Sequence, residues 1–94
     1  MRIEKITTDK KRFLELLLLG DEQEDMIDRY LERGDLFALF DPDLKSLCVV
    51  TDEGKGTCEL KNLATCARSQ GQGYATRLLE HVFRHYSGKY EAIL

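Results

Sequence analysis

A turn with two glycines, between a strand-like run and an amphipathic helical pattern, is the part of the sequence that most clearly indicates chemistry. The run Thr57–Thr65 leads into this turn, which contains Gly71 and Gly73, and the helical pattern follows at once. Glycines at the start of a helix let backbone N–H groups point at a ligand, with the positive end of the helix dipole behind them. The spacing therefore predicts an anion site, most simply a site for phosphate.

Two common phosphate-binding motifs do not fit this turn. A Walker loop needs Lys-Ser or Lys-Thr after the glycines, and neither dipeptide follows them here. A dinucleotide fingerprint needs a third glycine where this chain has Thr76. The pattern that does fit is Gln-x-x-Gly-x-Ala, formed by Gln70, Gly73 and Ala75.

This pattern, with the strand Glu-Leu-Lys-Asn-Leu-Ala before it and Tyr-Ala-Thr-Arg-Leu-Leu after the second glycine, resembles the acetyl-CoA signature of the GCN5-related N-acetyltransferases. The resemblance implies that acetyl-CoA is the co-substrate and that a primary amine, on a small molecule or a peptide, accepts the acetyl group. It also implies an α+β fold with a mixed, mostly antiparallel sheet, helices on both faces and the order β-α-α-β-β-β-α-β. The family pattern continues with a further helix and strands, so residues 1–94 are expected to form one domain that lacks those last elements.

The resemblance also assigns the residues that contact the cofactor. The pantetheine arm is expected to pair like an added strand with backbone groups of Leu63, Ala64 and Thr65, because ladder hydrogen bonds need only N–H and C=O groups. The pyrophosphate is expected on the amides of the turn, with the last residue just inside the helix: Gln70, Gly71, Gln72, Gly73, Tyr74, Ala75 and Thr76. The alternative for the glycines is a tight strand–helix turn that binds no ligand.

Glu59 matches the family's glutamate that accepts the proton of the amine, often through water. An amine must be neutral to attack a thioester, so a proton acceptor is required. The alternative is an exposed or ion-paired strand residue beside Lys61. The family's tyrosine acid lies on the helix that would follow, and the role is not transferred to Tyr86 or Tyr90.

Other residues that could bind a metal or act as a nucleophile carry weaker signals. His81 and His85 are spaced like metal ligands on a helix, but no catalytic Glu lies between them and no third ligand is evident. The three cysteines form no Cys-x-x-Cys pair, and we interpret Cys48, Cys58 and Cys66 as structural thiols. No metal is predicted.

Composition and charge limit the classes of partner. With 94 residues and a net charge of −3, the chain is predicted to be one domain without general nucleic-acid affinity. The leucine run at residues 16–19 is too short to span a bilayer, and the first residues lack the apolar core of a signal peptide. An odd cysteine count without a disulfide framework favours a reduced, cytoplasmic setting.

The hydrophobic pattern predicts where the remaining elements begin and end. Thr8 is expected to cap a first helix that Gly20 ends, and Asp21 with Glu24 is expected to form a capping box for a second helix. The other predictions are a buried stripe on the second helix (Met26, Ile27, Tyr30 and Leu31), a hairpin loop at residues 52–56 and a last strand at residues 90–94. A third helix is predicted at residues 73–86, with one side lined by Tyr74, Leu78, Leu79, Val82, Phe83 and Tyr86. The edge of that last strand is apolar, so a homodimer through it is expected.

Three functional hypotheses follow from the sequence. The first is an N-acetyltransferase that uses acetyl-CoA. The second is a non-catalytic CoA-binding or partner-binding fragment of a longer acetyltransferase. The third is a nucleotide-binding domain without transferase activity.

Overall fold

A five-stranded mixed sheet with helices on both faces forms the fold. The structure is a computed structural model that describes residues 1–93, with the backbone alone for Ile93; Leu94, the predicted end of the last strand, lies outside the described residues. A 3₁₀ helix (Lys10–Phe13) leads into α1, and a second one (Ala67–Ser69) lies between β4 and α3. The elements are β1 (Arg2–Ile6), α1 (Leu14–Gly20), α2 (Glu24–Tyr30), β2 (Asp35–Phe40), β3 (Leu44–Gly54), β4 (Thr57–Thr65), α3 (Tyr74–Tyr86) and β5 (Ala92–Ile93).

The strands lie in the sheet in their chain order. Strands β1 to β4 pair antiparallel, and β5 pairs parallel with β4 through Thr57 with Ala92 and Cys58 with Ile93. The crossover from β4 to β5 runs through α3, as a parallel pair requires. The predicted element order and the mixed, mostly antiparallel sheet are confirmed.

Alternating apolar residues on the central strands form two cores, one on each face of the sheet. On β2, Leu36 and Ala38 belong to the core that α1 and α2 cover, whereas Phe37 and Leu39 belong to the core that α3 covers. Because neighbouring side chains on a strand point to opposite faces, a continuous apolar run such as Leu36 to Phe40 fills both layers.

The first helix differs from its prediction at both ends. Asp9, with φ of 50°, precedes the 3₁₀ helix Lys10–Phe13, and no side chain caps that helix, so the predicted cap at Thr8 is wrong. Gly20 is the last helical residue, and the chain leaves the helix through extended Asp21. A Cβ on Gly20 would lie 2.0 Å from the Asn62 side-chain oxygen. Close packing against β4, rather than capping, therefore requires this glycine.

The second helix begins at Glu24 without the predicted capping box. The Asp21 carboxylate accepts the backbone N–H of Gln23 at 3.2 Å and the Tyr30 hydroxyl at 3.2 Å. Ile27 and Tyr30 are buried as predicted, but Met26 is 38% exposed, so its place in the buried stripe is wrong. Asp21 thus holds the start and the end of α2 from outside the helix.

Lys10 satisfies the carbonyl groups that follow α2. Its buried ammonium donates to the carbonyl oxygens of Leu31, Glu32 and Gly34 at 3.2, 3.1 and 2.6 Å. The last carbonyls of a helix have no partner within the helix, and a cation complements their partial charge. This contact fixes α2 against the 3₁₀ helix Lys10–Phe13.

The third helix and the last strand each differ from their predictions. Leu78 and Val82 are buried under β2 and β3, but Phe83 is 51% exposed, so its predicted place on the apolar side of the helix is wrong. Within the described residues β5 begins at Ala92 rather than Tyr90, and β3 extends to Gly54, which shortens the predicted loop. Association through the edge of β5 stays a prediction. Across residues 1–93, no helix combines the length and apolar character needed to cross a membrane.

Candidate functional site

Strand β4 has one edge that is paired over only part of its length. Its other edge pairs with β3 from Thr57 to Thr65, whereas β5 pairs with β4 at Thr57 and Cys58. Among the described residues, positions 59–65 therefore have no strand on the β5 side. We call this open edge of residues 59–65 the β4 notch; its closed end is at Cys58 and its open end at Thr65. Strand edges present N–H and C=O groups that an extended ligand can pair with.

The glycine turn follows the open end of the notch. Gly71 and Gly73 have φ angles of 79° and 84°, the left-handed region that favours glycine. Apart from the glycine itself and its two chain neighbours, no described heavy atom lies within 4 Å of the position that a Cβ would take at either residue. The turn thus leaves room for a ligand to approach its backbone closely.

The first amides of α3 are free to bind an anion. Gly73 precedes the helix and no side chain caps it. The first amide to close a helical turn is that of Arg77, which donates to the Gly73 carbonyl at 3.1 Å. The amides of Tyr74, Ala75 and Thr76 precede it and have no helical carbonyl to reach. Three donors and the positive end of the helix dipole therefore face outward together.

A cavity of about 240 Å³ lies between the end of β4 and the start of α3. Most of the residues that the sequence assigned to the cofactor line it, together with Ser69, which the sequence analysis did not select. Gln72 is outside the lining set, and its side-chain amide donates to the Arg68 carbonyl at 3.4 Å. The cavity is lined by Thr65, Ser69, Gln70, Gly71, Gly73, Tyr74, Ala75 and Thr76.

Two side chains hold the turn in place. The Gln70 amide donates to the Thr65 carbonyl at 3.2 Å, which joins the turn to the end of β4. The Tyr74 hydroxyl donates to Asp41 at 2.9 Å, and this hydrogen bond is the main reason that the pKa of Tyr74 is raised. Tyr74 therefore offers its amide to a ligand while its side chain anchors α3 to the turn after β2.

Glu59 lies at the closed end of the notch, directly after the two residues that pair with β5. It is six residues from Thr65, or roughly 20 Å along the strand at about 3.3 Å per residue. Its side chain is 36% exposed, and one carboxylate oxygen lies 2.9 Å from the Lys61 ammonium. The ion pair with Lys61 that the sequence suggested as an alternative is present, and within residues 1–93 the other carboxylate oxygen has no salt bridge.

Lys61 occupies an irregular position in β4. Asn62 pairs with Val49 and Leu60 pairs with Val50, so the strand carries one extra residue between them. That extra residue is Lys61, and such a bulge locally disrupts the ladder and bends the strand. The bulge falls within the notch, between Glu59 and the predicted pantetheine residues.

A second carboxylate lies on the neighbouring strand. Glu53 accepts a hydrogen bond from the Thr51 hydroxyl and lies 3.2 Å from the Arg33 guanidinium. The Thr51 hydrogen bond, then Arg33 and the charge of Lys61, lower the pKa of Glu53. Sequence reasoning missed this residue. Glu53 lies two residues after Thr51, and Thr51 pairs directly with Glu59, so the predicted hairpin loop at residues 52–56 already joined the two carboxylates.

Asn62 connects the notch to the two N-terminal helices. Its side chain is almost fully buried, and its amide nitrogen donates to the Leu17 carbonyl and to the Tyr30 hydroxyl, each at 3.0 Å. Its side-chain oxygen has no hydrogen-bond partner among the described residues. Sequence reasoning missed this contact because Leu17 and Tyr30 are far from Asn62 in the chain.

The cysteines and histidines are placed as structural groups. Burial raises the pKa of the Cys48 thiol to about 12 and also raises that of Cys58, whereas Cys66 is half-buried. The His85 ring packs on Phe37 with centroids 5.1 Å apart. Within residues 1–93, no group of three or more His, Cys, Asp and Glu side chains is placed to hold a metal.

A mixed sheet whose fourth strand has an open edge, followed by a glycine turn and a helix with free amides, is the arrangement implied by the sequence resemblance. Similar proteins agree with this class. An uncharacterised N-acetyltransferase of Bacillus subtilis (strain 168), YvbK, is 31% identical over 80 residues, which are 84% of this chain and 52% of that protein. No protein-family profile matches the chain.

Solved structures share the fold at high similarity. A GNAT family acetyltransferase from Elizabethkingia anophelis with acetyl-CoA bound is 29% identical, with a TM-score of 0.87 over 98% of this chain and 63% of that one. A Bacillus subtilis acetyltransferase in complex with CoA is 28% identical, with a TM-score of 0.82 over 92% of this chain and 57% of that one.

The chain is thus similar in sequence to an N-acetyltransferase and in fold to GNAT family acetyltransferases, the class that the sequence resemblance implies. It spans about half the length of the B. subtilis relative YvbK.

Proposed function

We propose that this protein transfers the acetyl group of acetyl-CoA to a primary amine. One observation carries the proposal: Thr65, at the open end of the β4 notch, lines the same cavity as the glycine turn and the first residues of α3. An extended arm with a diphosphate at one end needs these two features in this order. The similar proteins that bind acetyl-CoA or CoA add support.

The residues of the turn fit the diphosphate end. The open space at Gly71 and Gly73 permits close approach of phosphate oxygens to the backbone. The amides of Tyr74, Ala75 and Thr76 then donate to the anion, as at other helix N-termini. Hydrogen bonds to a charged acceptor contribute about 1.5–3 kcal/mol each. The turn therefore supplies much of the affinity.

The open edge of β4 fits the pantetheine arm. Leu63 lies in the part of the strand that β5 leaves unpaired, and its backbone groups face the open edge, so they can pair with the amides of the arm. The backbone groups of Ala64 face β3 instead, and its carbonyl accepts the Ser46 hydroxyl at 2.8 Å. The Thr65 carbonyl already accepts the Gln70 side chain, and its second lone pair remains for a ligand. An arm bound in this way runs from the turn toward the closed end of the notch.

Glu59 is the proton acceptor in this proposal. When bound, acetyl-CoA supplies an acyl thioester, whose carbonyl carbon an amine can attack. Glu59 takes a proton from the ammonium of the acceptor, directly or through a water molecule, and keeps the amine nucleophilic. Its position at the closed end of the notch, roughly 20 Å from Thr65 along β4, places the base at the opposite end from the diphosphate.

The acceptor is a small-molecule or peptide amine in this proposal. Glu53 adds a second carboxylate on the neighbouring strand, and its lowered pKa keeps it ionised at neutral pH. Both carboxylates have a cationic partner, Arg33 for Glu53 and Lys61 for Glu59, so an ammonium acceptor would compete with these ion pairs.

Calorimetry with acetyl-CoA, followed by an acetylation assay of the same sample with a panel of amines, tests the proposal. We expect saturable binding and release of CoA that depends on the amine. Binding without release of CoA for any amine would instead support a CoA-binding module. The absence of binding would remove the proposed function.

A further inference from the structure

The contact between Lys61 and Glu59 reproduces the arrangement that the proposed reaction requires of an acceptor. A primary ammonium lies 2.9 Å from the carboxylate that is proposed to take a proton from an amine. The Lys61 side chain is 24% exposed, so it is partly shielded by the protein and partly accessible to a reactant. A lysine of the chain itself therefore already occupies the acceptor's place beside the base.

Lys61 lies on β4 at the place toward which the proposed pantetheine arm directs its thioester. It is the bulged residue of the strand, between Glu59 at the closed end of the notch and Leu63, where the pantetheine arm is proposed to pair. An arm that runs along residues 63–65 from the glycine turn points its thioester toward Glu59 and Lys61. Other lysines with carboxylate partners, such as Lys11 and Lys45, lie on different elements.

We propose that Lys61 is an acetylation site at which this protein modifies itself. The proposal rests on the proposed function, because it uses the same cofactor and the same base. Glu59 takes one proton from the Lys61 ammonium, and the neutral amine attacks the acetyl carbon of bound acetyl-CoA. A C–N bond forms and the C–S bond breaks. The thiolate of CoA leaves and takes up the second proton that the new amide nitrogen releases, so the products are N-acetyl-Lys61 and CoA.

The modification changes the charge around the base. N-acetyl-lysine carries no positive charge, so the ion pair with Glu59 is lost when it forms. Glu53 also loses a nearby cation, because Lys61 is one of the charges that lower the pKa of Glu53. The Glu59 carboxylate is then free to take a proton from an external amine.

Mass spectrometry of the full 94-residue chain tests the proposal. The chain is incubated with isotopically labelled acetyl-CoA and without any amine, and the modified lysines are located in peptides. Lys45 is the matched internal control, because its side chain is 22% exposed and also pairs with a carboxylate, Asp43, at 3.2 Å. We expect labelled Lys61 in at least tenfold excess over Lys45, with an initial rate per molecule that is independent of protein concentration.

Two variants separate an assisted reaction from chemical acetylation by acetyl-CoA. Lys61→Arg keeps the cation and should lose the modification, whereas Lys45→Arg should leave it unchanged. Glu59→Gln should reduce acetylation of Lys61 to the level of Lys45 while calorimetry still detects acetyl-CoA.

The outcomes distinguish this proposal from the proposed function. Binding of acetyl-CoA and acetylation of a free amine, with Lys61 unmodified, would overturn the self-acetylation alone. Labelling of Lys61 and Lys45 at equal rates, or a rate per molecule that rises with protein concentration, would overturn it as well. The absence of any acetyl-CoA binding would overturn both.

Discussion

Replacement of Gly73 by alanine tests whether the glycine turn binds a diphosphate. Gly73 has φ of 84°, so an alanine there adopts a left-handed conformation at a cost of roughly 1–2 kcal/mol. Its Cβ would meet no protein atom within 4 Å, so the methyl group would enter the space that is proposed for phosphate oxygens. The substitution therefore affects stability and binding through two separate causes.

The expected loss of affinity follows from the hydrogen bonds at the start of α3. A methyl group that displaces a phosphate from one amide removes an interaction of about 1.5–3 kcal/mol. At about 1.4 kcal/mol for each factor of ten, Gly73→Ala should weaken CoA binding by roughly tenfold to a hundredfold. Isothermal titration calorimetry with CoA measures this change at a temperature where the variant stays folded.

Gly88 provides a matched control. It has φ of 85°, and a Cβ there would also meet no atom within 4 Å. It lies beyond the other end of α3, about 20 Å from Gly73 at about 1.5 Å per residue. Gly88→Ala should lose similar stability in chemical denaturation and keep its affinity for CoA. An unchanged CoA affinity in Gly73→Ala, or an equal loss of affinity in both variants, would refute the assignment of the diphosphate to the turn.

Further predictions concern the base, the packing of α1 and a buried thiol. Glu59→Gln should lower the rate of acetyl transfer at neutral pH at least tenfold and leave CoA affinity unchanged; a parallel loss of affinity would assign Glu59 to structure. Gly20→Ala should destabilise the fold by about 1–3 kcal/mol, since its Cβ would lie 2.0 Å from the Asn62 oxygen. Denaturant unfolding should show that Asn62→Ala in the same chain relieves part of this cost, whereas simple additivity would contradict the contact. Cys48 is fully buried and its pKa is about 12, so it should react with iodoacetamide at about pH 8 only after unfolding; rapid labelling of the folded chain would contradict this.

The sheet and the glycine turn were predictable because local rules determine them. Apolar runs bounded by turn residues mark β2 to β4, and the bounds of β4 agree with the structure at both ends. Gly71 and Gly73 adopt the positive φ angles that a sharp strand-to-helix turn requires. The position of the glycine turn in the fold follows from these two features.

Contacts between distant residues explain what could not be predicted. Gly20 resembles a C-cap in sequence, but its conformation and its need for glycine depend on Asn62, 42 positions later. Lys10 resembles a solvated residue, yet it is buried because three carbonyl groups after α2 surround its ammonium. Periodicity places Phe83 on the apolar side of α3, but the helix turns this ring outward to 51% exposure. These outcomes depend on how the helices dock, which a local pattern does not contain.

Helix α3 sets the distance between the glycine turn and β5, which lie at the two ends of the proposed site. Its 13 residues span about 20 Å, and its first turn lies at the glycine turn while its end leads through Gly88 to β5. The β4 notch from Thr65 to Glu59 has nearly the same length, roughly 20 Å. The length of this helix therefore fixes the distance between β5, which closes the notch, and the end of the site that is proposed to bind the diphosphate. Insertion of a single helical turn would displace β5 by about 5.4 Å relative to that end, so the length of α3 sets where along β4 the notch closes.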